Sequence, residues 1–170
     1  MKNIVLIGMP GSGKSTIGVL LAKAVGMPFV DTDIVIQQET GRLLQDIINK
    51  DGIKSFLEIE ERVVSRLNLK DHVIATGGSV VYSRRAMERL QSNSIIVYLQ
   101  LTYEEVEARI KNITTRGIAM EKGQTLYDLY QERIALYEQY QDMVIPCTGK
   151  SVEEVIGEVK KKIESKLGLI

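Results

Sequence analysis

One stretch limits what this chain can fold into: Gly8-Met9-Pro10-Gly11-Ser12-Gly13-Lys14-Ser15-Thr16, set between the apolar run Ile4-Val5-Leu6-Ile7 and Ile17-Gly18-Val19-Leu20-Leu21-Ala22. A buried strand, a glycine-rich loop and a helix in direct succession make a Walker A phosphate loop. The N–H groups of such a loop surround a polyphosphate, and the helix starting there adds a favourable dipole. Gly11, Ser12, Gly13, Lys14, Ser15 and Thr16 are therefore expected to hold the phosphates of a nucleoside triphosphate, read as ATP. Lys14 supplies a mobile positive charge for the β- and γ-phosphates, and the Ser15 hydroxyl is a ligand for Mg2+.

The rest of the pattern alternates. Strands are expected at residues 3–7, 28–31, 73–76, 94–101 and 143–146. Helices are expected at 14–25, 34–40, 43–49, 56–69, 83–91, 102–112, 126–141 and 152–167, with a turn at Asp51-Gly52 and Ser55 as a cap. Alternating strands and helices in one domain imply a three-layer α/β/α fold, its parallel sheet covered on both faces. Ligands of such sheets sit beyond the carboxyl ends of the strands. The loops after Ile7, Val30, Thr76 and Leu101 should therefore surround one cleft.

Two of these loops carry distinctive residues. Asp31 and Asp33 lie two residues apart at a strand end, where an extended chain points both to one side. Phosphoryl transfer needs a carboxylate for the metal and a group that takes or orients the acceptor's proton. One aspartate can equally serve as the N-cap of the following helix. No acid ends the strand at 73–76, so an ordinary Walker B aspartate is missing. Gly77-Gly78-Ser79 either lets a backbone N–H approach a small substrate or is a plain strand-to-helix turn. Arg116 falls in an irregular stretch at 114–123, which reads either as a lid closing an arginine over phosphates or as surface. Arg109, one helical face earlier, either reaches the same phosphates or forms a surface ion pair.

Charge and cysteine content narrow the partners. Lysine plus arginine number 22 and aspartate plus glutamate 22, giving no electrostatic case for nucleic acid. A single cysteine, Cys147, excludes an internal disulfide and is expected to be a core filler in a reducing compartment. No run approaches the ~20 apolar residues of a membrane span, and the short amino-terminal run lacks a signal-peptide layout. The expectation is a cytoplasmic monomer acting on a small hydroxylated substrate, with no nucleic acid and no membrane. Tyr127, Tyr130, Tyr137 and Tyr140 recur at helical spacing and read as core packing with polar tips. His72 reads as a surface turn residue.

With these pieces placed, the chain resembles shikimate kinases, small P-loop enzymes of the nucleoside-monophosphate-kinase-like group. The resemblance rests on the phosphate loop, Phe29-Val30-Asp31-Thr32-Asp33, Thr40-Gly41-Arg42, Asp51-Gly52 with Phe56 and Glu60, Gly77-Gly78, and Arg133 followed by Tyr137. It implies a sheet order 2-3-1-4-5, a substrate-binding helical insert at 31–62 and a lid at 112–124. It also implies ATP and Mg2+ as cofactors, transfer of a γ-phosphoryl group to a hydroxyl of shikimate, and a place in aromatic amino acid biosynthesis. By resemblance, Ser15 and Asp31 serve Mg2+ and Asp33 meets the acceptor hydroxyl. Lys14, Asp33 and Arg116 become the catalytic set, and Arg133 binds the substrate carboxylate.

The sequence departs from the family pattern on the acceptor side. Leu57 stands where the pattern has an arginine, Ser79 where it has a third glycine, and Arg116-Gly117-Ile118 where it has arginine-proline-leucine. A lost guanidinium contact removes ~1.5–3 kcal/mol, so Leu57 is expected to favour a less charged acceptor. An enzyme acting on a different small alcohol is thus the alternative reading. Less favoured are a nucleoside-monophosphate kinase, which would want more arginines than Arg42 and Arg62, and a regulator without catalysis. A GTPase is disfavoured because Asn49-Lys50-Asp51 lacks the spacing of the guanine motif.

Overall fold

A computed structural model describes residues 2–111 and 117–166. Its frame is the strand β1 (Asn3–Ile7), all five residues of which are buried. A strand buried on both faces is what a continuous aliphatic run in a parallel sheet produces, each side chain contributing about 1.5–3 kcal/mol by leaving water. Helix α1 (Lys14–Val25) follows the phosphate loop and ends at Gly26 in the left-handed conformation. Then come β2 (Phe29–Asp31), α2 (Thr32–Thr40), α3 (Leu44–Arg66) and β3 (Val73–Ala75). A 3-10 turn (Val80–Tyr82) precedes α4 (Arg84–Gln91), β4 (Ser94–Gln100) and α5 (Tyr103–Lys111). Helix α6 (Leu126–Tyr140), β5 (Met143–Pro146) and α7 (Val152–Lys166) complete the described chain.

The five strands are all parallel in the order β2-β3-β1-β4-β5. This agrees with the α/β/α reading and with the strand order implied by the resemblance. The main core fills both faces of the sheet; a second cluster of Ile36, Ile47, Phe56, Val63 and Ala119 lies under α2 and α3.

Three local expectations are corrected. Residues 44–66 hold two helical stretches that meet at a break at Gly52 (φ 84°, ψ 168°), where the Asp51-Gly52 turn was expected. The turn is borne out as a kink, whereas Ser55 lies within the second stretch instead of capping it. A guanidinium explains why the chain resumes helix at once: Arg42 binds both carboxylate oxygens of Asp51 and the Asp46 carbonyl, bracing the kink. The 3-10 turn at Val80–Tyr82 was not expected; two apolar valines, both buried, draw it onto the core. Tyr127 is 51% exposed, so the tyrosine stripe is core packing only in part. His72 is half-buried at the start of β3, where its N–H donates to Asn3 Oδ1. Cys147 is buried as expected, and burial pushes its thiol up to about 11.

Candidate active site

The phosphate loop closes on itself. Ser12 N–H donates to the Met9 carbonyl at 3.1 Å, and Gly13, the residue before α1, is left-handed at φ 88°, a conformation that glycine adopts without strain. Lys14 is buried; its Nζ donates to the carbonyls of Gly8 (2.7 Å) and Met9 (2.9 Å) and lies 3.4 Å from Ser12 Oγ. The ammonium thus rests against carbonyl oxygens within the loop. Thr16 is exposed in the first turn of α1.

Ser15 and Asp31 meet across the cleft mouth. The Ser15 hydroxyl donates to Asp31 Oδ2 at 2.6 Å, while Asp31 Oδ1 accepts the Asp33 N–H at 3.0 Å. The capping reading of Asp31 therefore holds through one oxygen, and the other oxygen accepts from Ser15 of the loop. An oxygen pair beside a phosphate site suits Mg2+, which takes few protein ligands and keeps waters and phosphate oxygens for the rest. Among the described residues no cluster of three or more histidine, cysteine or acidic side chains is poised for a metal, which fits such a sparse site.

A cleft of about 250 Å3 is lined by Lys14, Ser15, Asp31 and Asp33 together with Gly77, Gly78, Ser79 and Arg133. Asp33 lies in the first turn of α2, held there by the Asp31 cap. Side chains at Gly77 and Gly78 would crowd the groups around the cleft. A Cβ on Gly77 would lie 2.6 Å from Glu60 Oε2 and 2.9 Å from Asp33 Oδ1. One on Gly78 would lie 2.9 Å from both Arg133 Nη1 and Pro10 Cδ. The Gly77 N–H donates to Thr32 Oγ1, tying the end of β3 to the start of α2.

Arg133 is 1% exposed, on the buried face of α6 between Leu129 and Tyr137. Its Nη2 donates to the Ala119 carbonyl at 2.7 Å, and its guanidinium carbon lies 5.3 Å from the centre of the Tyr82 ring. The Tyr137 hydroxyl donates to the Gly78 carbonyl at 2.6 Å, fixing the glycine pair against α6. Among the described residues no carboxylate forms an ion pair with Arg133. Its charge is held by neutral groups at the edge of the cleft, where an anion can complete it.

The remaining expected residues lie elsewhere. Leu57 lines a neighbouring depression of about 480 Å3 that touches the cleft at Ser79. Arg109 donates to the Gly11 carbonyl at 3.0 Å and pairs with Glu105, so it braces the phosphate loop from behind. Arg116 lies outside the described residues; Gly117, beside it, lines the cleft.

Glu60 was not given a role by the sequence reading. It is buried, accepts the Ser79 hydroxyl on Oε1 at 2.7 Å, and has no hydrogen-bond partner on Oε2. Burial pushes its carboxyl up to about 7; the Ser79 hydrogen bond opposes the rise, the Asp33 charge adds to it, and Arg133 and Lys14 oppose it. A signal was present: Phe56, Glu60, Val63 and Val64 form one buried stripe of α3, an acid where helical spacing demands an apolar residue.

Comparison with known proteins points to one family. The family model for shikimate kinase matches residues 10–164. The shikimate kinase of Thermodesulfovibrio yellowstonii is 38% identical over 167 residues, 96% of each chain. The structure of the Acinetobacter baumannii shikimate kinase in complex with shikimate aligns with TM-score 0.90 at 30% identity, over 98% of this chain and 94% of that one. The Aquifex aeolicus shikimate kinase aligns with TM-score 0.83 at 30% identity, over 97% and 98%.

Proposed function

The chain belongs to the shikimate kinase family, and we propose that it transfers the γ-phosphoryl group of ATP to a hydroxyl of shikimate. The observation that carries this reading is one cleft lined by Asp33, by Lys14 and Ser15 of the phosphate loop, and by Arg133. An acceptor with an alcohol at one end and a carboxylate at the other fits Asp33 and Arg133.

The geometry of the described residues supports the following roles. The loop N–H groups and Lys14 bind the phosphates; Lys14 exchanges its loop carbonyls for phosphate oxygens when nucleotide enters. Ser15 and Asp31 would hold Mg2+, which when bound neutralises charge on the phosphate oxygens. Asp33 orients the acceptor hydroxyl and takes its proton at the carboxylate. Gly77 and Gly78 let the acceptor lie close to the backbone, and Arg133 pairs with its carboxylate. Arg116 is assigned to the lid at 112–124 that excludes water and stabilises the transferring group. The helical insert at 31–62 supplies Asp33 and the apolar wall from Phe56.

That Leu57 lines the depression, and is not among the residues lining the cleft, supports shikimate as the acceptor. Acceptor-dependent ADP release, run with shikimate and with a panel of other small hydroxylated acids, tests the reading. Turnover selective for shikimate is expected; turnover on another acid with none on shikimate would replace it.

A further inference from the structure

Ser79 stands at the junction of two spaces. It lines the cleft beside Gly78 and Arg133, and it also lines the depression behind, where Glu60 and Leu57 lie. Its hydroxyl is committed to Glu60 Oε1. While Glu60 is ionised, that hydroxyl proton points away from the cleft, which then meets only the lone pairs of Ser79. Such an oxygen repels a carboxylate. If Glu60 carries a proton, the hydrogen bond can reverse: the Glu60 O–H donates to Ser79 Oγ, and the Ser79 O–H turns to donate into the cleft.

We propose that Glu60 and Ser79 form a proton-coupled recognition element, in which uptake of one proton by Glu60 frees the Ser79 hydroxyl to join Arg133 in holding the acceptor's carboxylate. The proton comes from solvent, forms an O–H bond on the Glu60 carboxylate, and returns when the acceptor leaves. The inference rests on the reading of the acceptor as an anionic alcohol.

Three observations support it together. Glu60 is 1% exposed with its second oxygen lacking a hydrogen bond, and among the described residues no cation forms an ion pair with it. Its wall of the depression gives solvent protons a path that does not cross the cleft. The surrounding charges act on it in opposite senses. Asp33 from α2 favours the protonated form, whereas Arg133 from α6 and Lys14 from α1 favour the ionised one. Tyr137 on α6 also feels the Glu60 charge. In the depression Lys54, Glu58 and Glu61 share α3 with it, facing Tyr82 and Glu121. A carboxylate arriving beside Ser79 offsets the field of Arg133 and adds a like charge, so proton affinity at Glu60 rises further. By linkage, protonation then strengthens anion binding by the same factor. Burial has already brought Glu60 to about 7, where this exchange is reached under ordinary conditions.

The test is titration calorimetry of shikimate in buffers of different ionisation enthalpy, from pH 6 to 8.5. Wild type should take up close to one proton per shikimate above pH 7.5, with affinity falling towards tenfold per pH unit. The methyl ester of shikimate, lacking the charge, should bind with no uptake. Glu60→Gln and Ser79→Ala should each bind shikimate with pH-independent affinity and no uptake. Wild-type binding without proton uptake overturns the inference and leaves the proposed function standing. Uptake that persists in Glu60→Gln also overturns it, by assigning the proton to another group. Failure of shikimate to bind wild type at any pH removes the proposed function and the inference together.

Discussion

The Ser15 hydroxyl and the Asp31 carboxylate lie 2.6 Å apart, although 16 residues separate them in sequence. The same carboxylate accepts the Asp33 N–H, so one side chain joins the phosphate loop, the start of α2 and the residue facing the acceptor. Asp31→Ala should lower stability by about 1 kcal/mol through loss of the cap. It should also raise the Mg2+ concentration needed for half-maximal turnover. Denaturant unfolding and a Mg2+ titration of ADP release check the two effects separately.

Gly77 packs between two carboxylates, and its backbone is not among those at positive φ. Gly77→Ala therefore tests contact without backbone strain. The methyl group must displace Glu60, Asp33 or both, at a cost of about 1–3 kcal/mol. A shift of 1 Å at Asp33 should lower kcat about a hundredfold. Steady-state kinetics should show kcat falling while nucleotide affinity is retained.

The Tyr137 hydroxyl is the hydrogen-bond donor recorded for the Gly78 carbonyl. Tyr137→Phe leaves that carbonyl poorly satisfied and should cost about 1–3 kcal/mol in unfolding free energy. The glycine pair loses its tether to α6, so the KM for the acceptor should rise more than kcat falls.

Glu60 holds its proton more tightly folded than unfolded, about 7 against an ordinary 4.5. Between those values the native state binds more protons, so this group's contribution to stability is full below pH 4.5 and is lost as pH rises through 7. The loss amounts to about 3 kcal/mol. Urea unfolding at pH 5 and pH 8 should show wild type losing about that much relative to Glu60→Gln.

Much of the fold could be read from local pattern, because β1, α1 and β5 carry continuous aliphatic or cleanly periodic runs and match their expected limits. The break at Gly52 could be read too, from the turn residues Asp51-Gly52, but not the Arg42 bridge that braces it, a contact nine residues apart. At the site, the phosphate loop and Asp31-Thr32-Asp33 are contiguous motifs and were legible. Arg133 and Glu60 were harder to read from residues alone. Each is a charge inside a buried helical stripe, and only packing shows that Leu129-Arg133-Tyr137 and Phe56-Glu60-Val63 converge on the glycine pair. Leu57 shows the converse: the family pattern marked its position, yet its surroundings are the depression and not the cleft.

The central claim is that Asp33 presents an alcohol to a nucleotide held by the phosphate loop. It is tested most directly by Asp33→Asn, measuring MgATP binding and single-turnover phosphorylation of shikimate on the same preparation. The account predicts nucleotide affinity within about twofold of wild type and transfer slowed by about a hundredfold to ten-thousandfold. Transfer at the wild-type rate, or loss of transfer only in proportion to lost nucleotide binding, would contradict it.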